Sequence, residues 1–387
     1  MRLANTPFRL IRLYVSVFLS QTALAVAFLA TPILAVEMQA PPFVIGLIGA
    51  STGGPYAIMT FVFGSASDRF SRKKMLLAAE AISAFAMILC FLSQEPYQLI
   101  FSRFVFSIGL ALFWPLAEAY TGDLVQSDQL SQALTGYNVS WSSATIVGPL
   151  LGGLLITWFF TRTPFLVALT LFVFAGMLFL PRTAANITPS HQIHHLNQNE
   201  KRVSNNPKVY PLIYAFLFAF AGALLNAIFP AYATQLDISP DVIGLLFLLS
   251  GLSQTITVLL SSRMQSKLGT EKLLLFSSVF LCTSLTIIGL TLATPIFMIC
   301  FLIFGFGQGM AYSTAILLVL KGSDSRRGKA AGIFEGILGV GFFTGPLVGG
   351  ALYQVGGPYP YFLGAFVSLS MITSQLIRML RHSHTKQ

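Results

Sequence analysis

The sequence predicts an all-α membrane protein in which twelve transmembrane helices form two pseudo-symmetric six-helix bundles. Three observations predict this fold: an apolar composition, twelve apolar runs, and a repeat between the two parts of the chain. Hydrophobic residues make up 55% of the 387 residues, charged residues make up only 9%, and the mean hydropathy is +0.75. A soluble domain could not bury that much apolar surface, whereas a bilayer accepts it if helices satisfy the backbone hydrogen bonds.

Apolar runs between turn and charge signals locate the helices, because a spanning helix needs about 20 apolar residues. The first run is too long for the apolar region of a cleaved signal peptide, so we interpret it as a span. The predicted helices are 13–36, 43–63, 75–93, 97–120, 131–158, 164–180, 210–235, 241–262, 273–292, 294–319, 330–353 and 358–378.

The positions of the basic residues predict the orientation. Lys and Arg are enriched in the cytoplasmic loops of membrane proteins. With a cytoplasmic N-terminus, 21 of the 23 Lys and Arg residues fall at the chain ends or in cytoplasmic loops. The exceptions are Arg162, in an outer loop, and Arg103, inside the fourth helix. We therefore expect both termini to be cytoplasmic.

The polar segment 181–209 is the longest break between apolar runs and contains His191, His194 and His195. It could be a metal-binding tract. We favour a solvated cytoplasmic linker, because no Cys accompanies the histidines and the nearest carboxylate, Glu200, lies five residues beyond His195. The predicted organisation is then an N-terminal bundle over 1–180, the linker over 181–209, and a C-terminal bundle over 210–387.

Two motifs recur at nearly the same spacing. The stretch 64–77 aligns without gaps with 262–275, 198 residues later, and Gly-Pro-Leu-Leu-Gly-Gly at 148–153 recurs as Gly-Pro-Leu-Val-Gly-Gly at 345–350, 197 residues later. This repeat favours duplicated six-helix halves with a substrate site between them near the membrane midplane.

Three stretches resemble the major facilitator superfamily, and more narrowly its drug/proton antiporters. The loop 64–74 has the pattern Gly-x-x-x-Asp-Arg-x-x-Arg-Lys/Arg, although Ser71 stands where the family usually has Gly. The stretch 103–109 resembles the family's Arg-x-x-x-Gly pattern with the glycine displaced. The third is the antiporter motif Gly-x-x-x-Gly-Pro-x-x-Gly-Gly, which helix 11 keeps completely from 341 to 350 and helix 5 keeps with Ala144 as its first residue.

The resemblance implies a conformational latch and a sealing interface. The latch residues that it implies, which hold the halves in the outward-open state, are Gly64, Asp68, Arg69 and Arg72. The motif residues that would pack helices closely, because small side chains allow close approach, are Gly148, Pro149, Gly152, Gly153, Gly345, Pro346, Gly349 and Gly350. The alternatives are that the loop charges only set the orientation of the chain in the membrane, and that the small residues only allow tight helix packing.

Three charged residues within or near the spans are candidates for proton coupling. Arg103 should face a cavity or a partner, because an unpaired Arg inside a membrane is costly; helical spacing puts Trp114 and Glu118 on the same face. A buried carboxyl group such as that of Glu335, which occupies the position of Asn138 in helix 5, could bind and release a proton. The alternatives are an Arg that reaches the outer interface, and solvated helix ends for Glu335, Glu118 and Glu80.

Polar residues within spans more often face protein than lipid. The candidates for lining a substrate cavity are Gln21, Trp114, Asn138, Trp141, Asn226, Gln254 and Gln308.

The predicted function is secondary active transport by alternating access, as proton-coupled efflux of a small apolar or amphipathic compound. The alternatives are a facilitator or importer of a polar metabolite such as a sugar or organic acid, and a transporter-like sensor. An enzyme is not expected, because no nucleotide loop, metal cluster or nucleophile–base pair is visible.

The expected partners are a small-molecule substrate, protons and the lipid bilayer of a bacterial inner (plasma) membrane, and one chain should suffice. No cofactor or metal is expected, since Cys90, Cys282 and Cys300 lie in apolar runs without metal-ligand spacing. The net charge of +10 does not indicate nucleic-acid binding, because the cations lie in short loops.

Overall fold

A computed structural model describes residues 6–66, 71–126, 129–180, 209–321 and 327–384. These residues form twelve α-helices and no strand, so the predicted all-α fold is confirmed. The helices are α1 (Thr6–Glu37), α2 (Pro42–Ala66), α3 (Arg72–Leu92), α4 (Pro96–Asp123), α5 (Leu130–Trp158), α6 (Thr163–Met177), α7 (Val209–Gln235), α8 (Pro240–Leu268), α9 (Thr270–Leu290), α10 (Thr294–Lys321), α11 (Arg327–Val355) and α12 (Tyr359–His384).

Eleven of the helices in this part of the chain are long and apolar enough to cross a membrane. The remaining helix, α6, has 15 residues and therefore spans about 22 Å, less than the bilayer's hydrocarbon core of about 30 Å. The segment predicted at 164–180 thus ends as a helix at Met177 and continues as turns to 180.

The backbone repeats between the two parts of the chain. Helices α3 and α4 begin and end 198 residues before α9 and α10, and α5 lies 197 residues before α11. The turns after α1 and α7 each hold one residue in the left-handed region, Gln39 and Asp237, both with φ of 57°. Pro42 and Pro240 then begin α2 and α8, where the missing N–H costs no hydrogen bond. Equivalent residues therefore lie 198 apart up to α4.

We call α1–α6 the N-terminal half and α7–α12 the C-terminal half. Within the first, α1 packs on α5 and α6, and α4 packs on α2 and α3; within the second, α7 packs on α10 and α11, and α9 packs on α10 and α12. The predicted linker lies outside the described residues except for Val209, which begins α7. The bundle boundaries 1–180 and 210–387 stay a prediction.

The halves meet along two seams, α2 with α11 and α5 with α8, with a smaller contact between α1 and α7. The seams occupy the helix ends near the turns 38–41, 159–162, 236–239 and 356–358, which we call the loop side. We call the opposite side, where Thr6 and His384 lie, the terminal side. In the described chain, α4 and α5 make no contact of similar extent with α10 and α11. The halves are therefore closed on the loop side and separate towards the terminal side.

Glycines make both seams close. A Cβ added at Gly46 would collide with the backbone of Pro346 and Gly350, and one at its repeat equivalent Gly244 would collide with the backbone of Pro149 and Leu150. The two helices of each seam are in backbone contact there, an approach that only small residues allow.

Candidate functional site

Two carboxyl groups from opposite halves lie at the terminal-side edge of the seams. Glu335 projects from α11 and is half-buried, and Glu118 projects from α4 and is accessible from the space between the halves. The two groups are close enough to interact electrostatically. The Tyr56 hydroxyl, on α2, donates a hydrogen bond to Glu335 Oε2 at 3.0 Å and so joins the halves.

Aromatic side chains surround the two carboxyl groups. Tyr137 of α5 and Tyr312 of α10 both interact electrostatically with Glu118 and Glu335. The rings of Trp141 and Tyr312 stack across the halves, with centroids 6.0 Å apart and planes 21° from parallel. Tyr312 also contacts Phe218 and Phe334. The site therefore presents flat apolar faces beside two acidic groups.

Neither Glu118 nor Glu335 forms an ion pair with Lys or Arg among the described residues. For Glu335, which is half-buried, an ionised carboxylate without a cation is unfavourable, and a proton or a cationic ligand would relieve that cost. Tyr56 supplies one hydrogen bond to Glu335 and can move away when the halves separate. The arrangement can therefore exchange a proton, bind a cation, and connect either event to the contact between halves.

The antiporter-motif residues have two kinds of neighbour. Gly148 and Gly152 lie against α1, and Gly345 and Gly349 lie against α7, so these four pack helices within a half. Gly153 lies against Pro240 of α8, and Gly350 against Gly46 of α2. Pro149 and Pro346 lie inside α5 and α11 at the same seams. The motif thus contributes directly to the contact between halves.

Arg103 lies inside the N-terminal half and does not face the space between the halves. It is 2% exposed, and its guanidinium carbon lies 3.9 Å from the ring centroid of Phe28 and 5.3 Å from that of Phe106. Its Nε and one terminal nitrogen have no hydrogen-bond partner among the described residues. Aromatic faces replace the expected cavity or carboxylate partner, and Glu118 on the same helix is 15 residues, about 22 Å, away along the axis.

The predicted latch is only partly described. Asp68 and Arg69 lie outside the described residues, and Gly64 lies in the last turn of α2. Arg72, at the start of α3, forms an ion pair with Asp123 at the end of α4, at 2.7 Å. That contact joins two helices of the same half, and the latch stays a prediction.

The other cavity candidates are dispersed. Asn138 and Asn226 are exposed, and Asn226 donates a hydrogen bond to its own helix at the Gly222 carbonyl oxygen. Gln21 and Gln308 are buried, and the Gln308 amide nitrogen has no partner among the described residues. Trp114 and Gln254 are half-buried, with Trp114 packed edge-on against Phe113.

Sequence reasoning missed Tyr56, Tyr137 and Tyr312, and gave Glu80 little weight. Tyrosine within a span carries no distinctive signal, since it also packs well in apolar cores. Glu80 is 2% exposed and accepts a hydrogen bond from Ser20 of α1 at 2.5 Å, so it is a buried group and not a solvated helix end. It brings a carboxyl group against α1, the helix whose own interior has none.

Comparison with known proteins agrees with this architecture. The sequence profile described as Major Facilitator Superfamily matches residues 13–222 and 211–386. The chain belongs to the Major Facilitator Superfamily. It is accordingly an integral membrane transporter that acts on small molecules, and its resemblance to that superfamily is confirmed.

Named relatives within the superfamily include drug-resistance proteins. The chain is 24% identical over 366 residues to Multidrug resistance protein 2 of Bacillus subtilis (strain 168). The aligned region covers 89% of this chain and 90% of the relative. It is 25% identical over 319 residues to Multidrug resistance protein MdtG of Citrobacter koseri, covering 79% and 77%.

Solved structures share the fold at lower identity. The nucleoside transporter NupG has a TM-score of 0.72 and 13% identity, covering 95% of this chain and 98% of that one. A bacterial homologue of the iron transporter ferroportin, in an inward-facing state, has a TM-score of 0.69 and 15% identity, covering 95% and 98%. At these identities the likeness shows the superfamily fold alone.

Proposed function

We propose that this protein exports a small apolar or amphipathic compound in exchange for protons. The observation that carries the proposal is the pair of carboxyl groups, Glu118 and Glu335, which two different halves present in one aromatic-lined space on the open side of the seams. Multidrug-resistance names among relatives that cover most of the chain support the same direction of transport.

In this mechanism the aromatic faces hold the substrate and the carboxyl groups hold the proton. The stack of Trp141 and Tyr312 crosses the halves, so a flat apolar compound that inserts between or beside these rings contacts both halves at once. A substrate with positive charge would compete with a proton for Glu118 and Glu335. Exchange of one for the other then makes export depend on the proton gradient.

The hydrogen bond of the Glu335 carboxyl group is also linked to the arrangement of the two halves. Tyr56 donates to Glu335 across the α2–α11 seam, in the state in which the halves are closed on the loop side. With cytoplasmic termini, the orientation predicted from the basic residues, the state described here is open to the cytoplasm and able to take up substrate. Opening of the loop side would break the Tyr56–Glu335 hydrogen bond and expose Glu335 to protons outside. Arg103 and the latch residues Asp68, Arg69 and Arg72 are proposed to assist this cycle.

The test uses purified protein in liposomes, with a lipophilic cation as substrate and an imposed pH gradient. Wild-type protein should move substrate uphill and release protons in return. Glu335→Gln should lose uphill transport yet keep one-for-one exchange of labelled substrate, which requires no net proton movement. Glu37→Gln, at the exposed loop-side end of α1, removes a carboxylate far from the site and should behave as wild type.

Two results would contradict the proposal. Uphill transport by Glu335→Gln at the wild-type rate would remove Glu335 from proton coupling. Flux of a nucleoside or sugar without proton movement, and no flux of the lipophilic cation, would favour the facilitator of a polar metabolite instead.

A further inference from the structure

A carboxyl group lies buried inside the N-terminal half, apart from the site between the halves. Glu80 of α3 is 2% exposed, and it lies against Gly176 of α6, where an added Cβ would come within 3.3 Å of the Glu80 Cβ. Ser20 of α1 contacts Glu80 Oε1 at 2.5 Å. Three helices of one half therefore enclose this group, whereas Glu118 and Glu335 meet between the halves.

No cation forms an ion pair with Glu80 in the described part of the chain. Helix α6, which packs on α1 and α3, has no charged residue along its length. On α4, Arg103 is enclosed by aromatic rings and Glu118 lies towards the other half. Asp123 of α4 pairs with Arg72. An ionised Glu80 would thus be a buried carboxylate without a counter-charge, which is costly, and a bound proton removes that cost.

The contacts of Ser20 favour a proton on Glu80. Ser20 Oγ lies 2.5 Å from Glu80 Oε1 and 2.8 Å from the Ser16 carbonyl oxygen. A hydroxyl group has one proton to donate, so an ionised Glu80 and the carbonyl oxygen compete for it. A neutral carboxyl group supplies a second proton, and both contacts can then be hydrogen bonds at once. The contact between Ser20 and Glu80 persists in either charge state, because a hydroxyl group can donate or accept.

A column of polar groups on α1 leads from this carboxyl group to the terminal side. Arg12, Ser16 and Ser20 follow one another at four-residue spacing, so they lie on neighbouring turns of one side of the helix. Arg12 donates to the Leu178 carbonyl oxygen, and Ser16 donates to the Ala175 carbonyl oxygen at 3.4 Å. Each turn of the column therefore offers a polar group between the buried carboxyl group and the terminal-side surface.

The early end of α6 leaves the same region uncovered. Helix α6 ends at Met177, one residue beyond the Gly176 that lies against Glu80. Glu80 lies eight residues after Arg72, the first residue of α3, and is therefore about 12 Å from the terminal-side end of that helix. Over this distance no further turn of α6 covers the carboxyl group within the described ranges. A proton from the terminal side thus has a short distance to cross.

Two cations lie at the terminal-side end of the column. Lys73 precedes Glu80 by seven residues on the same face of α3, and it is close enough to Arg12 to interact electrostatically. Both cations lie about two helical turns from the level of the carboxyl group, too far for a hydrogen bond. Positive charge at this distance favours release of the proton without replacing it. The position therefore combines groups that favour proton uptake with groups that favour proton release.

We propose that Glu80 is a second proton-binding site, which exchanges protons with the terminal side independently of Glu118 and Glu335. On uptake, a proton from water on the terminal side forms an O–H bond with the Glu80 carboxylate. On release, that bond breaks and the proton returns to water along Ser20 and Ser16. The bound proton stabilises the packing of α1 on α3 and α6, because it removes a buried charge from the contact.

The test observes the neutral carboxyl group by infrared difference spectroscopy on the full-length protein in liposomes while the pH is raised. The starting protein carries Glu118→Gln/Glu335→Gln, so that the signal does not depend on the pair between the halves. We expect a band of a buried neutral carboxyl group that disappears as the pH rises, and we expect Glu80→Gln to remove it. The matched control, Glu37→Gln, removes an exposed carboxyl group at the end of α1 and should keep that band.

Two further variants make the test independent of a folding defect in Glu80→Gln. Ser20→Ala keeps the carboxyl group and removes its hydrogen-bond partner, so the band should shift in frequency. Ser16→Ala interrupts the column, and exchange of the carboxyl proton in heavy water should become about tenfold slower, the effect of one lost hydrogen bond on the barrier.

Four results would overturn the proposal: a band that remains in Glu80→Gln, an equal loss in Glu37→Gln, a Glu80 band that persists at every pH, or no change in both serine variants. The third result would make Glu80 a permanent structural acid. The proposed export function is tested separately, since uphill transport by Glu335→Gln at the wild-type rate would contradict that function and leave the Glu80 band unchanged.

Discussion

The two halves share one backbone plan but use charge differently. In the N-terminal half, Glu80 and Arg103 are each 2% exposed. Their equivalents 198 residues later are Ser278 and Phe301, both fully buried, and the described residues of the C-terminal half bury no charged side chain. The partner of Glu80, Ser20, corresponds to Phe218. The repeat therefore preserves helix packing, while buried charge is particular to one half.

The site between the halves is asymmetric in the same way. Glu118 corresponds to Ile316, and Glu335 corresponds to Asn138 in the α5–α11 alignment, so each half supplies one carboxyl group where the other has a neutral residue. Tyr56, which binds Glu335, corresponds to Gln254. Duplication of a six-helix unit therefore accounts for the shared backbone. Different residues at equivalent positions then give the two halves complementary side chains at the site.

The largest expected effect comes from moving the carboxyl group between equivalent positions. Glu335→Asn/Asn138→Glu keeps the charge and the composition of the site but puts the carboxyl group on α5, away from Tyr56. We expect loss of one hydrogen bond to a charged group, about 1.5–3 kcal/mol, and a fall of about tenfold to a hundredfold in uphill transport. The fall is measured as the rate of uphill transport by the protein reconstituted in liposomes.

A swapped variant that transports like wild type would show that the two positions are interchangeable, and the complementarity of the halves would be wrong. Asn138→Glu alone serves as the control, since it adds a carboxyl group and leaves the Tyr56–Glu335 pair intact.

The seams should behave alike, because their glycines are equivalent. Gly46→Val in the α2–α11 seam and Gly244→Val in the α5–α8 seam each push a side chain into backbone of the other half. Overpacking of about 1–3 kcal/mol would reduce the loop-side-closed population about fivefold to 150-fold. Crosslinking of engineered cysteine pairs across each seam measures that population.

Gly332→Ala is the control for the seam variants, since an added Cβ there meets no atom of another helix within 4 Å in the described part of the chain. A large effect at Gly46 with none at Gly244 would mean that only one seam closes the loop side, in spite of the repeat.

Replacing Arg103 by the residue at its equivalent position distinguishes a role in stability from a role in transport. Arg103→Phe introduces the side chain that the C-terminal half has at Phe301. Replacement of a buried charge by an apolar group is often neutral or stabilising, so we expect the free energy of unfolding to change by no more than about 1 kcal/mol. If Arg103 assists coupling, uphill transport falls about tenfold, equivalent to about 1.4 kcal/mol.

Thermal unfolding in detergent and uphill transport in liposomes are the two measurements for Arg103→Phe. Unchanged transport together with unchanged stability would contradict the coupling proposal for Arg103. Arg162→Gln, on the loop side, is a matched loss of an arginine whose guanidinium donates a hydrogen bond to the Phe91 carbonyl oxygen.

The fold was predictable because its determinants are local and repeated. Apolar length located all twelve helices, and the repeated Gly-Pro-x-x-Gly-Gly motif gave the two halves their spacing. The ends were less predictable: α1 begins at Thr6 and not near 13, and α8 ends at Leu268 and not near 262. Polar residues such as Gln265 and Ser266 extend a helix beyond the apolar run, since helices continue into the polar region of the membrane interface.

The sequence predicted three residues of the site, Glu118, Glu335 and Trp141. Glu118 and Glu335 stood out because few carboxylates lie in the spans, and the structure brings them together. Helical spacing on α4 grouped Arg103 with Glu118, because both lie on the same face of the helix. The structure separates them, since they are far apart along the helix axis and a different set of helices packs around each of them. Tyr56 could not be assigned from sequence, since its function depends on which helix of the other half lies opposite.

The smallest expected effect concerns the ion pair at the terminal side. Arg72 and Asp123 correspond to Thr270 and Lys321, so the C-terminal half has no such pair at these positions. The side chains of Arg72 and Asp123 are 24% and 43% exposed, and such pairs contribute about 0–1 kcal/mol. Arg72→Gln and Asp123→Asn should each lower the free energy of unfolding by that amount, with a double variant no less stable than either single one.

Transport by the same variants separates a local ion pair from a latch. If Arg72 acts only through Asp123, both single variants lower transport equally and the double variant adds nothing. If Arg72 also belongs to the latch predicted with Asp68, Arg72→Gln lowers transport more than Asp123→Asn does at equal stability. That excess, measured with the double variant as reference, would mean that one residue serves both a contact within its half and the contact between halves.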